Sequence, residues 1–214
     1  MTEMNNVSWN ESLEKYCADT GEKANCLSWV HKRAEEIFSH RRTFIDLPVI
    51  VISSLTGFLS ASSPSLFQGE EKLSSILLGV ASLLVSVLNT VGTYFAWAKR
   101  AEAHRLSAIQ YARLYRFLAI ELNLPREERM SPSDLLKYVK DSYDRLQEVS
   151  PLIPPALIAE FKSKFGKHTE LAKPEELNGL DKIVIYKDSF LIQNPLHISS
   201  PRVGLPLEIE KPSE

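Results

Sequence analysis

Residues 73–98 read LSSILLGVASLLVSVLNTVGTYFAWA, a run without a charged side chain that gathers Tyr94, Phe95 and Trp97 at its end. Roughly 20 apolar residues in a helix cross the hydrocarbon core of a bilayer, and amphipathic aromatics collect where hydrocarbon meets headgroups. The run therefore reads as a transmembrane helix. A second uncharged run, LPVIVISSLTGFLSASSPSLFQG at residues 47–69, precedes it; its first half is strongly apolar, while serines and Pro64 dilute the rest. Only Glu70, Glu71 and Lys72 separate the two runs, a link so short that it joins antiparallel neighbours. Together they predict a helical hairpin in a lipid bilayer over residues 43–98.

Charge orients the hairpin. Lys32, Arg33, Arg41 and Arg42 precede it and Lys99, Arg100, Arg105, Arg113 and Arg116 follow it, whereas the link holds only Lys72. Basic residues stay in the cytoplasm, so both termini are expected there, with Arg41, Arg42, Lys99, Arg100 and Arg105 at the membrane surface. The mean hydropathy of -0.13 looks soluble only because the polar remainder offsets the two runs. A formal net charge of -2 gives no basic field and argues against a nucleic-acid partner. Met1 to Ser12 lacks the basic flank and apolar core of a secretory signal, so no cleavage is expected. Cys17 and Cys26 are read as thiols, since nine residues of helix do not stack them.

The polar remainder reads mostly as helix. An N-terminal segment, residues 1–42, opens with Ser8 and Glu11 spaced as a capping box. Leu13, Tyr16, Cys17, Ala24, Leu27, Val30, Ala34, Ile37 and Phe38 give it a broken apolar stripe, and Gly21 is placed to kink or split it. Asp46 and Pro48 suit a fresh helix start at the first span. After Thr93 neither glycine nor proline occurs before Pro125, which predicts one helix from about Leu73 to Leu122 with Ala101, Ala108, Ala112, Tyr115, Ala119 and Leu122 facing the N-terminal helix. Ser131 caps a further helix that Pro151 ends, Pro155 starts a short one that Gly166 stops, and Pro174 to Asn178 form a last turn. KIVIY at residues 182–186 predicts a short strand closing a region that spans 99–186. Pro195, Pro201, Pro206 and Pro212 make 187–214 an extended arm. The fold class is mainly α: a transmembrane hairpin, a cytoplasmic helical bundle, one strand and an arm.

Chemistry is sparse. The glycines form no phosphate-binding loop, no His or Cys pairs have metal-ligand spacing, and no nucleophile elbow occurs. No catalytic, cofactor or metal residue is assigned. His31 with Glu35 reads as a solvated helix face, and Glu102, His104 and Arg105 as headgroup contacts and helix pairing. Inside the second span Ser75, Gly79, Ser82, Ser86, Asn89 and Thr93 recur at helical spacing, and the first span offers Ser53, Gly57 and Ser60 in the same style. Small and hydroxyl residues let membrane helices approach closely. The stripes have three readings: they zip the hairpin together, pack a homo-oligomer, or line a pore.

The runs HKRAEEIFSHRRTFIDLPVIVISSLTGFLS and YFAWAKRAEAHRLSAIQYARLYRFLAIEL resemble the SLATT class of two-helix membrane proteins. With LPREERMSPSDLLKYVKDSYDRLQEVSPLIPPALIAEFKSKF and NGLDKIVIY, they are similar to an uncharacterised membrane family encoded by large double-stranded DNA viruses. The resemblance implies a non-enzymatic structural component of a viral inner membrane, linked to capsid or scaffold proteins through the cytoplasmic helices or the arm. Its alternative is an oligomeric pore-forming effector of the SLATT type.

Overall fold

The side-chain oxygen of Asn10 accepts a hydrogen bond from the Leu13 amide at 2.8 Å, and the first helix begins there. Asn10, not Ser8, is thus the cap. The computed structural model describes residues 7–66, 71–180 and 182–183. Helix α1 runs from Glu11 to Leu66, 56 residues without interruption, or roughly 84 Å at 1.5 Å per residue. It passes Gly21, Asp46 and Pro48 without a break, so α1 is not split at Gly21 and no second helix starts at Asp46. Asp46 is held instead by Arg42 one turn earlier, at 2.9 Å. Pro48 forfeits one backbone bond but remains inside the helix.

Helix α2 spans Glu71–Phe95 and α3 spans Trp97–Asn123. The single helix expected here is broken at Ala96, whose φ of 48° and ψ of 39° are left-handed. Residues two apart on a regular helix point roughly 200° away from each other, yet the Phe95 and Trp97 rings lie parallel, 5.0 Å between centroids and 4° apart in plane. The inverted residue between them is what allows the rings to stack.

Helix α1 is paired along nearly its whole length, by α2 over its later half and by α3 over its earlier half. Both pairings are antiparallel. Ile52, Thr56 and Leu59 meet Ser74, Leu78 and Ala81, and Ile45 lies against Gly92. Further down, His31 meets His104, Ser28 donates to the Ala108 carbonyl at 2.9 Å, and Gly21 lies against Leu118. Helices α4 (Pro132–Val149), α5 (Pro155–Phe165) and α6 (Glu175–Asn178) complete a packed head around α1 and α3.

The head has two adjoining apolar clusters. Leu13, Cys17, Ala24 and Leu27 pack with Tyr111, Leu114 and Leu118 and with Leu135, Val139 and Leu146. Cys26, Val30, Ala34 and Phe38 pack with Ala101, Leu157, Phe161 and Leu177. The face that α3 buries is Ala101, His104, Ser107, Ala108, Tyr111, Leu114 and Leu118. Ala101 and Ala108 of the expected stripe are buried, whereas Ala112, Ala119 and Leu122 are half-buried and Tyr115 is 36% exposed, so beyond Ala108 the buried face turns to Tyr111, Leu114 and Leu118. On α1, Tyr16 of the expected stripe is 45% exposed. Ser131 caps α4 as expected, accepting from the Asp134 amide at 3.3 Å.

Among the described residues there is no strand. Lys182 and Ile183 are irregular, and Val184, Ile185 and Tyr186 lie outside the described residues, as do residues 67–70 of the link and the arm 187–214. One compact unit reaches to Asp181, and Lys182 and Ile183 belong to a second.

Candidate functional site

Two helices here are long and apolar enough to cross a membrane, and in the most apolar stretch of each no residue is buried. Against α1, α2 turns Ser74, Leu78, Ala81 and Gly92, and Val85 and Leu88, half-buried, continue the same spacing between them. The polar stripe of Ser75, Gly79, Ser82, Ser86, Asn89 and Thr93 has the same spacing one residue later, which rotates it about 100° around the helix. All six of its residues are exposed. Helix α1 shows the same offset: Ile52 and Thr56 are half-buried, Ser53 and Gly57 exposed. A Cβ at Gly57 or Gly79 would meet nothing within 4 Å. The stripes therefore do not zip the hairpin.

What they form is an outward polar face. Ser82, Ser86, Asn89, Thr90 and Thr93, with Val85 and Tyr94, line a shallow recess on α2. The Thr90 hydroxyl donates back to the Ser86 carbonyl at 2.8 Å, as Ser54 and Thr56 on α1 do to Ile50 and Ile52. Such back-bonding makes a hydroxyl compatible with hydrocarbon. The Asn89 carboxamide makes no such bond, although Asn123 on α3 donates back to the Ala119 carbonyl at 2.6 Å; Asn89 has no hydrogen-bond partner among the described residues.

At the end of the hairpin nearest the head the basic residues divide. Arg42 is paired with Asp46, and Arg105 with Glu102 at 2.9 Å. Arg41 from α1 and Arg100 from α3 lie 5.9 Å and 6.0 Å from the same Phe38 ring. Lys99 is exposed.

Beneath Phe38 lies a feature that reading the sequence missed. His31 and His104 are 1% and 2% exposed, and their Nδ1 atoms are 2.8 Å apart. His31 is thus neither solvated nor paired with Glu35, and His104 is not at a headgroup. Phe38 stacks on His104 and Tyr111 on His31, with planes 16° and 13° apart. Burial pushes both imidazoles down, to about 4, with the neighbouring ring adding for His31 and Arg100 adding for His104. A metal between two nitrogens needs bonds of about 2.0–2.1 Å to each and a wider N–N spacing at tetrahedral angles, so 2.8 Å is a hydrogen bond. Among the described residues no group of three or more His, Cys, Asp or Glu gathers as a metal would require. Cys17 and Cys26 are free and buried, and burial raises both thiols to about 11.

The opposite end of the head is tied by charge. Glu14 accepts from Arg126 at 2.8 Å and Arg129 at 2.6 Å, and these guanidinium bonds hold its carboxyl down at about 2. Arg129 also donates to the carbonyls of Leu122 and Leu124, closing the end of α3. No family model, curated protein or solved structure matches the chain.

Proposed function

We propose that this chain is a two-pass integral membrane protein that assembles with copies of itself through the outward polar face of α2. One observation carries the reading: Asn89 sits within the apolar run, on a face turned away from α1, with its amide unpartnered among the described residues. In hydrocarbon a carboxamide is costly without a partner, and a second copy of the face supplies one. Ser86, one turn away, and Ser82 and Gly79 further along the same face allow the close approach this needs. Insertion itself is supported by exposure, because a core helix of a soluble protein buries its apolar side chains and these helices leave theirs outside. Arg41, Arg42, Lys99, Arg100 and Arg105 at one end favour a cytoplasmic head.

In this reading the assembled hairpins anchor a cluster of heads, each available to a capsid or scaffold protein, either on its own surface or through the arm. The viral inner membrane is the setting that the family resemblance implies. A pore is the second reading, favoured by the continuous strip of Ser82, Ser86, Asn89, Thr90 and Thr93, which a ring of copies would turn to water.

Reconstitution of the full chain in lipid vesicles tests both. Cross-linking should capture oligomers of the wild type, and Asn89→Leu should weaken association several-fold, since interhelical hydrogen bonds contribute roughly 0.6–2 kcal/mol. Unchanged oligomers in Asn89→Leu would overturn assembly through this face. Ion flux that disappears with the oligomers would select the pore, and tight vesicles would select the anchor.

A further inference from the structure

We infer that His31 and His104 form a proton-operated latch between α1 and α3, closed while the pair holds no more than one extra proton and opened when both rings are charged. The inference goes beyond the assembly reading and does not rest on it, because the pair lies wholly within the head.

The geometry allows only certain protonation states. At 2.8 Å one Nδ1–H donates to the other Nδ1, so the two neutral rings are opposite tautomers. One added proton leaves the arrangement intact, as an imidazolium donating to a neutral ring. A second leaves an N–H on each Nδ1, two donors facing each other with no acceptor. It also places two charges in rings whose centroids are 5.0 Å apart and which water hardly reaches.

The surroundings give neither charge relief nor room. On α1, Glu35 in the next turn acts on Arg105, and Arg41 lies beyond Phe38. On α3, Arg100 opposes charging of His104, and Glu102 is taken by Arg105. Tyr111 of α3 stacks on His31, and Tyr143 of α4 reaches Tyr111 rather than the pair. Helix α5 contributes Leu157 and Phe161 to the adjacent core, while its Glu160 is held by Arg33. Glu176 of α6 acts on Tyr111 and Tyr143, and α2 has no titratable side chain between Lys72 and Tyr94. With Phe38 and Tyr111 stacked on the outer faces, the rings cannot swing apart within the core. Relief requires α1 and α3 to separate.

Both helices lead to the hairpin, α1 directly and α3 through Ala96, so opening the latch alters the base on which the hairpin stands. The sign follows from linkage. Both imidazoles are depressed in the closed head, so the closed form is favoured above the ordinary imidazole value of about 6.5 and loses that advantage as pH falls toward 4.

The test is hydrogen exchange on the full chain in detergent or lipid discs, corrected for the intrinsic effect of pH. From pH 7.5 to 5, opening measured at amides around His31 and His104 should increase at least about tenfold. In the double variant His31→Gln, His104→Gln, whose amides still hydrogen-bond but do not titrate, it should stay level. No increase in the wild type, or the same increase in the double variant, overturns the latch. Should the double variant fail to fold, the histidine resonances of the wild type decide. Joint titration below 6.5, with exchange rising at the same midpoint, supports the latch; independent titration near 6.5 without a change in exchange overturns it. These readouts are local to the head, so they separate failure of the latch from failure of assembly in the membrane.

Discussion

Helix α1 lives in two environments, and the comparison between them is instructive. From Leu13 to Phe38 it buries its apolar stripe and takes Thr20 and His31 inward with it. From Phe44 to Phe58 it leaves Phe44, Leu47, Ile50, Val51, Leu55 and Phe58 exposed, and α2 does the same with Ile76, Leu77, Val80, Leu83, Leu84 and Val87. In the head, water outside drives apolar groups in, and polar groups enter only when they are bonded. In the hairpin apolar groups face outward, as they do where the solvent is lipid, and packing rests on shape. A single helix can obey both rules because its partner changes from α3 to α2 along its length.

The largest expected effect breaks the comparison from the head side. Leu118 is 1% exposed and packs against Gly21. Leu118→Ala should cost about 2–5 kcal/mol in denaturant unfolding of the detergent-solubilised protein, as emptied core sites do. Gly79→Leu and Leu84→Val on the hairpin should leave that stability nearly unchanged. A Cβ at Gly79 meets no atom within 4 Å, and Leu84 is 50% exposed. Comparable losses from all three would mean that hairpin and head do not obey different rules.

The second effect probes the charged end of the head, far from the membrane-length stretch. The Arg129 side chain is 11% exposed, bonded to Glu14, Leu122 and Leu124, and lies 5.1 Å from the Trp9 ring. Arg129→Ala should cost about 2–3 kcal/mol, because charge-assisted bonds are lost and carbonyls at the end of α3 go unpaired. Glu14 is held at about 2, below its ordinary value, so its contribution is present above about 4.5 and is lost as pH falls toward 2. Glu14→Gln should flatten the stability profile in that window and leave the behaviour between pH 5 and 7.5 to the histidines. A profile unchanged by Glu14→Gln would show that the ion pairs do not hold the head.

How much of this was legible follows the same division. The hairpin could be read because the absence of charge over two long runs is a local property, and the start of α4 because Ser131 and Asp134 cap it within one turn. The start of α1 was missed by two residues, since Ser8 and Asn10 are both good caps and only geometry shows that Asn10 reaches Leu13. Asp46 and Pro48 carry a start signal that the pairing of α1 with α2 overrides. The polar stripe was found with the right period, but period does not say which of two faces, one residue apart, meets the partner. The histidine pair was invisible for a different reason: its members are 73 residues apart, and a single histidine on a helix announces nothing. A register would have found it, because setting Gly21 opposite Leu118 and Ser28 opposite Ala108 in antiparallel helices brings His31 to His104.

The smallest expected effect lies at the border between the two environments. Ala is the best helix former, so nothing local marks Ala96 as a break, and its left-handed backbone is accompanied by the stacking of Phe95 on Trp97. A residue with a Cβ in that conformation costs roughly 1–2 kcal/mol, and glycine escapes most of this while losing about 0.5–1 kcal/mol of unfolded-state entropy. Ala96→Gly should therefore stabilise the protein slightly, by about 0.5–1 kcal/mol, whereas Ala96→Val should destabilise it, because branching at Cβ worsens the same clash. The order of the three residues in denaturant midpoint, Gly above Ala above Val, is the diagnostic. In an unbroken helix the order of Gly and Ala reverses, since glycine in a helix interior costs about 1 kcal/mol. That reversal would restore the single helix from Leu73 to Leu122 that the sequence predicts, and with it a rigid rather than articulated link between the second span and the head.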